Sequence, residues 1–426
     1  MPSSSELLQR FKRGGASGID LTLRPAYRAL LKALGEPHQK LPPAFHVAGT
    51  NGKGSVCAFL RAIFEAAGHR VHVYTSPHLV TFHERIRIAG KLIEEADLAE
   101  ILAAIERLSA PGEITFFEAA TAAAFVAFAR HPADFTILEV GLGGRLDATN
   151  VIEKPLATII ATLSFDHREY LGTTLAQIAR EKAGIMRKNV SCFTAPQDEE
   201  AARSLRDTAA KIGAPLIEGS RDWRIETLAN GFCFIDKTRI YNLPSPSLLG
   251  PHQLWNAGLA IAALPSSIPE KTIATGLQRA EWPARLQKLD GRLAKLLPPG
   301  WELWLDGGHN DSAGAALAAQ IEIWKKLDGL PLDLVCGMLT TKNPREFLAL
   351  FAPQIRNARA VNIPDEPLAF PATELVTHIR EAGVVKVEAT ENIEAALAEL
   401  TRNEKPGRIL ICGSLYLAGT VLKKDK

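Results

Sequence analysis

Residues 46–55, HVAGTNGKGS, hold the residue types that grip a polyphosphate. Gly49, Gly52 and Gly54 let a backbone curl tightly and turn its N–H groups toward phosphate oxygens. Thr50 and Asn51 complete the loop. Lys53 adds positive charge for the outer phosphates, and Ser55 can place its hydroxyl on Mg²⁺. The spacing departs from a strict Walker A motif, because Gly54 separates Lys53 from Ser55. Residues 138–150, LEVGLGGRLDATN, put Glu139 at the carboxyl end of an apolar run. In an open α/β sheet that end faces the ligand crevice, and a carboxylate there suits a hard cation. Residues 163–185, LSFDHREYLGTTLAQIAREKAGI, put Asp166 and His167 after another buried run. His167 can ligate a metal, with Asp166 orienting it. Lys182, taken by itself, reads as a surface lysine.

Three shorter stretches add candidates. In YTSPHL, Ser76 could meet a metal or phosphate, or simply sit in a Ser-Pro turn. In GPHQLWNAGLA, Gln253 and Asn256 could hydrogen-bond a purine or phosphate. Helix capping accounts for His252 and Gln253 equally well. In LDGGHND, Asp306 and His309 would close an interdomain site, unless the stretch is an ordinary Asp-Gly turn.

The elements that must carry these residues alternate between strand and helix. The first 40 residues read as helices, with Leu30, Leu31 and Leu34 on one face. Apolar runs at 44–47, 71–74, 135–140 and 156–162 hardly alternate, as in a parallel sheet buried on both faces. Helices are expected over 56–67, 116–130 and around 177–183. Residues 221–241 carry short β-type runs around Asn230-Gly231, a hairpin signal for a small antiparallel element. A helix over 253–264 follows. Alternation restarts with strands at 302–305, 332–336, 358–363, 384–388 and 408–412. The expected fold is therefore α/β: a mostly parallel domain with a small antiparallel element over 1–288, then a smaller Rossmann-like domain over 289–426.

Length and composition agree. A chain of 426 residues suits two domains. Lys plus Arg number 49 and Asp plus Glu 47, so no global field calls for nucleic acid or an acidic membrane. The five cysteines are scattered, with no metal spacing, and read as buried free thiols in a reducing compartment. The first residues lack the apolar core of a signal peptide, and no run reaches membrane-spanning length. A cytoplasmic protein is expected.

Taken in order, AGTNGKGS, YTSPHL, TFFEAAT, LEVGLGGRLDATN, the DH with REKAGI, HQLWNA, DGGHN and GSLYLAG form a highly specific series. The chain resembles the folylpolyglutamate synthase and dihydrofolate synthase family, within the Mur ligase superfamily, from about Ile19 to Leu422. The resemblance implies an ATPase domain joined to a smaller Rossmann-like domain, with ATP between them. It implies that Lys53, Gly54, Ser55 and Val56 hold phosphates. Ser55, Ser76, Glu139 and His167 would ligate Mg²⁺ at one or two sites, and Lys182 would be carbamylated. Lys53, Glu139, His167 and Lys182 would be the catalytic group. Asn256, Arg285 and Asp306 would contact ATP, with His309 beside the nucleotide. Thr115, Phe116, Phe117 and Glu118, with Leu146, Asp147 and Ala148, match the pterin-binding segments of the bifunctional bacterial enzymes. The implied partners are dihydropteroate, folates and L-glutamate, acted on by a monomer. Departures fall at Gly308, where the family usually has Ala, at PARLQ (283–287) and at GMLTTKNP (337–344).

Two other readings fare worse. A ligase acting on UDP-linked muropeptides would want a UDP-binding domain before the phosphate loop, which here begins at residue 49. A non-catalytic nucleotide switch would not need Lys53, Ser55, Glu139 and His167 together.

Overall fold

The computed structural model describes residues 2–14, 25–402 and 404–426. Ile19, where the family resemblance begins, lies outside them. The chain forms two compact units, one of Met1–Ser247 with Leu254–Glu281, the other of Leu248–Gln253 with Trp282–Lys426. The division expected at 288/289 therefore moves to 281/282. The reason is a strand at Gln287–Leu289, which pairs antiparallel with Glu302–Leu305 and so belongs to the second sheet.

The first unit opens with helices α1 (Ser4–Gly14) and α2 (Pro25–Ala33). There follow β1 (Ala44–Ala48), α3 (Lys53–Ala66), β2 (Val71–Tyr74), β3 (Ile86–Ile88), β4 (Lys91–Leu92), α4 (Glu95–Leu108), α5 (Phe116–Ala129), β5 (Phe135–Glu139) and β6 (Ala157–Ile160). Then come α6 (Arg168–Leu171), α7 (Leu175–Ala183), β7 (Cys192–Thr194), α8 (Glu199–Ile212) and β8 (Leu216–Glu218). These eight strands make one sheet, in the order β4-β3-β2-β5-β1-β6-β7-β8. From β2 to β8 neighbours run parallel, and β3 and β4 fold back antiparallel at the edge. The apolar runs predicted as buried strands are buried except at their ends, where Leu156 is exposed and Phe135 and Thr162 are half-buried, because helices cover both faces. The three-residue strands β7 and β8 were too short to show a periodicity in the sequence.

A three-stranded antiparallel sheet comes next, of β9 (Trp223–Leu228), β10 (Gly231–Asp236) and β11 (Ile240–Pro244). The hairpin falls one residue earlier than Asn230-Gly231 suggests. Leu228 pairs with Gly231, so the two-residue loop is Ala229-Asn230. Gly231 is needed inside the strand, where an added Cβ would stand 2.0 Å from the Leu243 carbonyl oxygen. Helices α9 (Pro251–Ala263), part of this unit from Leu254 on, and α10 (Glu270–Arg279) complete it.

In the second unit, β12 (Gln287–Leu289), β13 (Glu302–Leu305), α11 (Asp311–Leu327), β14 (Leu332–Cys336), α12 (Pro344–Leu348), β15 (Ile355–Val361), α13 (Ala372–Glu381), β16 (Val387–Thr390), α14 (Ile393–Thr401), β17 (Arg408–Cys412) and α15 (Leu415–Lys424) alternate. The sheet order is β12-β13-β17-β14-β15-β16, parallel except for β12. This is the expected Rossmann-like layout. All five cysteines are buried and free, as their scatter suggested.

Helix α3 carries the phosphate loop at its N-terminus and packs on α10. Gly276 makes this approach possible, since a Cβ there would lie 2.5 Å from the Ile63 Cα. Gly276→Val should therefore overpack the contact and cost about 1–3 kcal/mol. The check is the thermal unfolding midpoint, and an unchanged midpoint would rule out close α3–α10 packing.

Candidate active site

The phosphate loop bridges β1 and α3. Gly49 (φ 148°) and Gly52 (φ 85°) take conformations that other residues rarely adopt. The Thr50 and Asn51 amides both donate to the Thr162 carbonyl, at 2.9 and 3.2 Å. The Thr50 hydroxyl donates to the Ser164 carbonyl at 3.1 Å, and the Asn51 amide group to the Ser164 hydroxyl at 3.3 Å. The loop is thus fastened to the segment that leaves β6 and carries Asp166 and His167. A Cβ at Gly52 would meet the Asn256 Oδ1 at 2.4 Å, so the Asn256 side chain on α9 rests directly against the loop. Gly54, Ser55 and Val56 form the buried first turn of α3.

Lys53 curls back over this loop, its Nζ donating to the Gly49 and Thr50 carbonyls at 3.1 Å each. Lys182 reaches the same place from α7. Its Nζ donates to the Gly49 carbonyl at 2.9 Å. Far from lying on the surface, Lys182 is 4% exposed. Burial pushes its amine down from 10.5 to about 7, and the nearby Lys53 charge pushes the same way, while Asp166 and Asp147 oppose both.

Glu139 ends β5 and is buried; its Oε2 accepts the Ser76 amide at 3.1 Å. His167 (φ 49°) precedes the short helix α6, with its side chain 38% exposed. Asp166 accepts the His167 backbone amide at 2.9 Å, while the imidazole Nε2 stands 3.9 Å away, beyond hydrogen-bond reach. Asp166 therefore shapes the backbone at His167 and lies within ion-pair range of the ring when that ring is protonated. The donors Ser55, Ser76, Glu139 and His167 are oxygen and nitrogen, fit for Mg²⁺ or Mn²⁺. Among the described residues no three His, Cys, Asp or Glu side chains cluster tightly enough to hold an ion. An ion here fits only if nucleotide and water supply further oxygens, which is the usual habit of Mg²⁺.

The glycine loop after Glu139 is fixed by Asp147. This buried carboxylate accepts the amides of Gly141, Leu142 and Thr149 and the Thr149 hydroxyl, at 2.5–3.0 Å. Because the Thr149 hydroxyl donates to Asp147, the His46 Nε2–H must donate to Thr149, at 2.8 Å. His46 is thereby held neutral, and burial pushes it down to about 3. His46 and Thr149 lie in two of the motifs, but nothing in their spacing shows that the two segments meet. A Cβ at Gly144 would lie 2.9 Å from the Glu181 and Lys182 carbonyls, so the loop lies flat on α7 and positions Lys182.

The two expected pterin segments are linked through Gly141, where a Cβ would strike the Phe117 ring at 2.3 Å and whose amide donates to Asp147. Thr115 and Glu118 form a capping box at the start of α5, the Glu118 carboxylate accepting the Thr115 amide at 2.8 Å. Tyr27 donates its hydroxyl to the Ala148 carbonyl at 3.2 Å, bracing the 146–148 stretch. Thr115, Glu118 and Asp147 thus use their polar groups on local structure, leaving rings and backbone to face a ligand.

In the second unit, Arg285, Asp306 and His309 come together. Asp306 follows β13 and accepts the Leu286 and Gly308 amides at 2.9 and 2.7 Å. Burial raises its carboxyl, opposed by the Arg285 charge. Arg285 sits between Ala284 (φ 57°) and Leu286 (φ 45°), two left-handed residues that turn the chain at PARLQ. The His309 Nδ1–H donates to the Gly307 carbonyl at 3.1 Å. At Gly308 a Cβ would lie 2.8 Å from Asp306 Oδ1 and 2.9 Å from the Ala313 Cβ, so glycine relieves a tight turn.

A glycine cradle at the end of a parallel strand, a buried lysine beside a half-buried one and a second Rossmann-like unit define an ATP-dependent ligase of the Mur class. Residues 47–264 match the Mur ligase middle domain, and residues 293–424 match the C-terminal domain of dihydrofolate synthetase. The dihydrofolate synthase/folylpolyglutamate synthase of Bacillus subtilis (strain 168) is 33% identical over 420 residues, 94% of each chain. The Escherichia coli enzyme solved with DHPP and ADP superposes with a TM-score of 0.87 at 28% identity, covering 99% of this chain and 97% of that one. A bifunctional folylpolyglutamate synthase/dihydrofolate synthase solved with Mn, AMPPNP and L-glutamate gives 0.85 at 29% identity, over 100% and 98%. The chain belongs to the dihydrofolate synthase/folylpolyglutamate synthase family.

Lys182 makes a pH-dependent contribution with a definite sign. Between about pH 7 and pH 10 the unfolded chain holds its proton and the folded chain does not. Stability must rise with pH across that window and be lowest, from this group, below it. In CO₂-free buffer the urea midpoint of the wild type should climb relative to Lys182→Met from pH 7 upward. A flat difference would show that the amine is not buried.

Proposed function

We propose that this chain joins L-glutamate to dihydropteroate and to folates, cleaving ATP to ADP and phosphate through an acyl phosphate. The observation that carries the reading is the convergence of Lys53 and Lys182 on the Gly49 carbonyl of a phosphate loop, with Asn256 against the same loop. Solved relatives holding ADP with DHPP, and AMPPNP with Mn and L-glutamate, support it.

A carboxylate is a poor electrophile at neutral pH. The acceptor carboxylate attacks the γ-phosphorus, the bond to the bridging oxygen breaks, and ADP leaves. The glutamate amine then attacks the acyl carbon, and phosphate departs as the amide forms. The loop amides of Gly52, Lys53 and Gly54 would bind the phosphates, and Lys53 would swing from its loop carbonyls to neutralise charge on the transferring group. Ser55, Ser76, Glu139 and His167 would hold one or two Mg²⁺ ions, which supply Lewis-acid charge at the phosphates. Asn256, Arg285, Asp306 and His309 would bind the nucleotide. Phe116, Phe117 and the Leu146, Asp147 and Ala148 backbone would flank the pterin. No protein nucleophile is required.

Lys182 has the amine for carbamylation. Held near pH 7, it is in part the neutral nucleophile that adds CO₂, and the product would turn a cation beside Lys53 into an anion. Among the described residues no helix is long and apolar enough to cross a membrane. A cytoplasmic monomer fits this reading.

Lys53→Ala and Glu139→Ala should each cut glutamate-dependent phosphate release by about 10²-fold or more, with circular dichroism unchanged. Near-wild-type turnover by either folded variant would refute the site. Mass analysis of products made from dihydropteroate or from tetrahydrofolate decides whether one or both acceptors are used.

A further inference from the structure

Arg85 is a buried cation that the reaction scheme leaves unexplained. It is 7% exposed and ends a short 3₁₀ turn, Phe82–Arg85, in the segment between Ser76 and β3. Its Nε donates to the His78 Nδ1 at 2.8 Å. The guanidinium lies 5.6 Å from the Phe82 ring centroid and 5.5 Å from that of Phe116, beside the Tyr74 hydroxyl. Among the described residues no carboxylate forms an ion pair with it. The adjacent acid, Glu84, is already committed to the amides of Leu79, Val80 and Thr81, at 2.7, 3.0 and 2.8 Å. Lys12 adds a second cation, 5.1 Å from the Phe116 centroid on α1.

A guanidinium taken out of water without an anion is costly, and its planar fork matches a carboxylate. Position narrows the choice of carboxylate. At one end of the segment the Ser76 amide meets Glu139, on the metal and phosphate side. At the other, Arg85 touches Phe116 of the pterin segment. The reacting carboxylate must sit at the phosphates. Dihydropteroate has only that one. A folyl substrate ends in glutamate, whose γ-carboxylate reacts and whose α-carboxylate does not. We propose that Arg85, aided by Lys12, binds this unreacting α-carboxylate and so serves folate extension specifically. The inference rests on the acceptor reading above.

The test compares tetrahydrofolate with its α-carboxamide, and both with dihydropteroate. On the wild type, the α-carboxamide should bind about tenfold or more weakly than tetrahydrofolate by fluorescence titration, the worth of a charge-assisted pair. In Arg85→Gln that difference should vanish. The KM for tetrahydrofolate should rise about tenfold, while those for dihydropteroate and ATP move about twofold at most. Lys12→Gln, at an exposed site, should give a smaller rise for tetrahydrofolate alone. Equal binding of acid and amide by the wild type overturns the proposal without any variant. Equal KM rises for both acceptors in Arg85→Gln also overturn it and make Arg85 a structural staple. A wild type that makes dihydrofolate but neither binds nor extends tetrahydrofolate refutes folate extension itself, a result distinct from either.

Discussion

Two ammonium groups share one carbonyl oxygen, that of Gly49, and much of the first unit exists to make that possible. Lys53 arrives from the helix that follows the loop and Lys182 from α7, far along the chain. Like charges this close repel, so Lys53 weakens the hold of Lys182 on its proton. Lys182 yields because it is the more deeply buried of the two, and its amine drops to about 7. A polyanion at the loop would relieve this repulsion. The same field makes Lys182 the chemically reactive amine of the pair.

Rigid packing around glycines sets this geometry. Gly49 closes on Ala161, Gly52 on Asn256, Gly144 on the α7 backbone and Gly141 on Phe117, each at a distance that a Cβ would violate. These contacts couple the phosphate loop, the glycine loop and the aromatic start of α5 into one block. Asp147, Thr149 and His46 supply its polar staple, a chain of hydrogen bonds in which every donor and acceptor direction is determined. Such a network is worth most when complete, because its members are buried.

Arg85 and Lys12 both lie against the Phe116 ring, while the carboxylate of Glu84 serves backbone amides. In the second unit Arg285 lies beside Asp306 across a turn held by two left-handed residues and a glycine.

Much of this was legible in the residue order. Unbroken apolar runs marked β1, β5, β6 and the strands of the second unit, because a strand covered on both faces has no reason to alternate. The glycine and lysine spacing of 49–55 marked the phosphate loop, because only certain residues tolerate its backbone. Lys182, a surface lysine when taken by itself, proved buried, and the unit boundary fell seven residues early of its expected place once β12 joined the second sheet. The parts of His46 and Arg85 were invisible. Those features depend on which distant segments come into contact and on how much water they exclude. Local sequence determined the backbone's preferences, since these act within a few residues. Only the tertiary structure decided protonation, pairing and exposure, since burial and charge act through space.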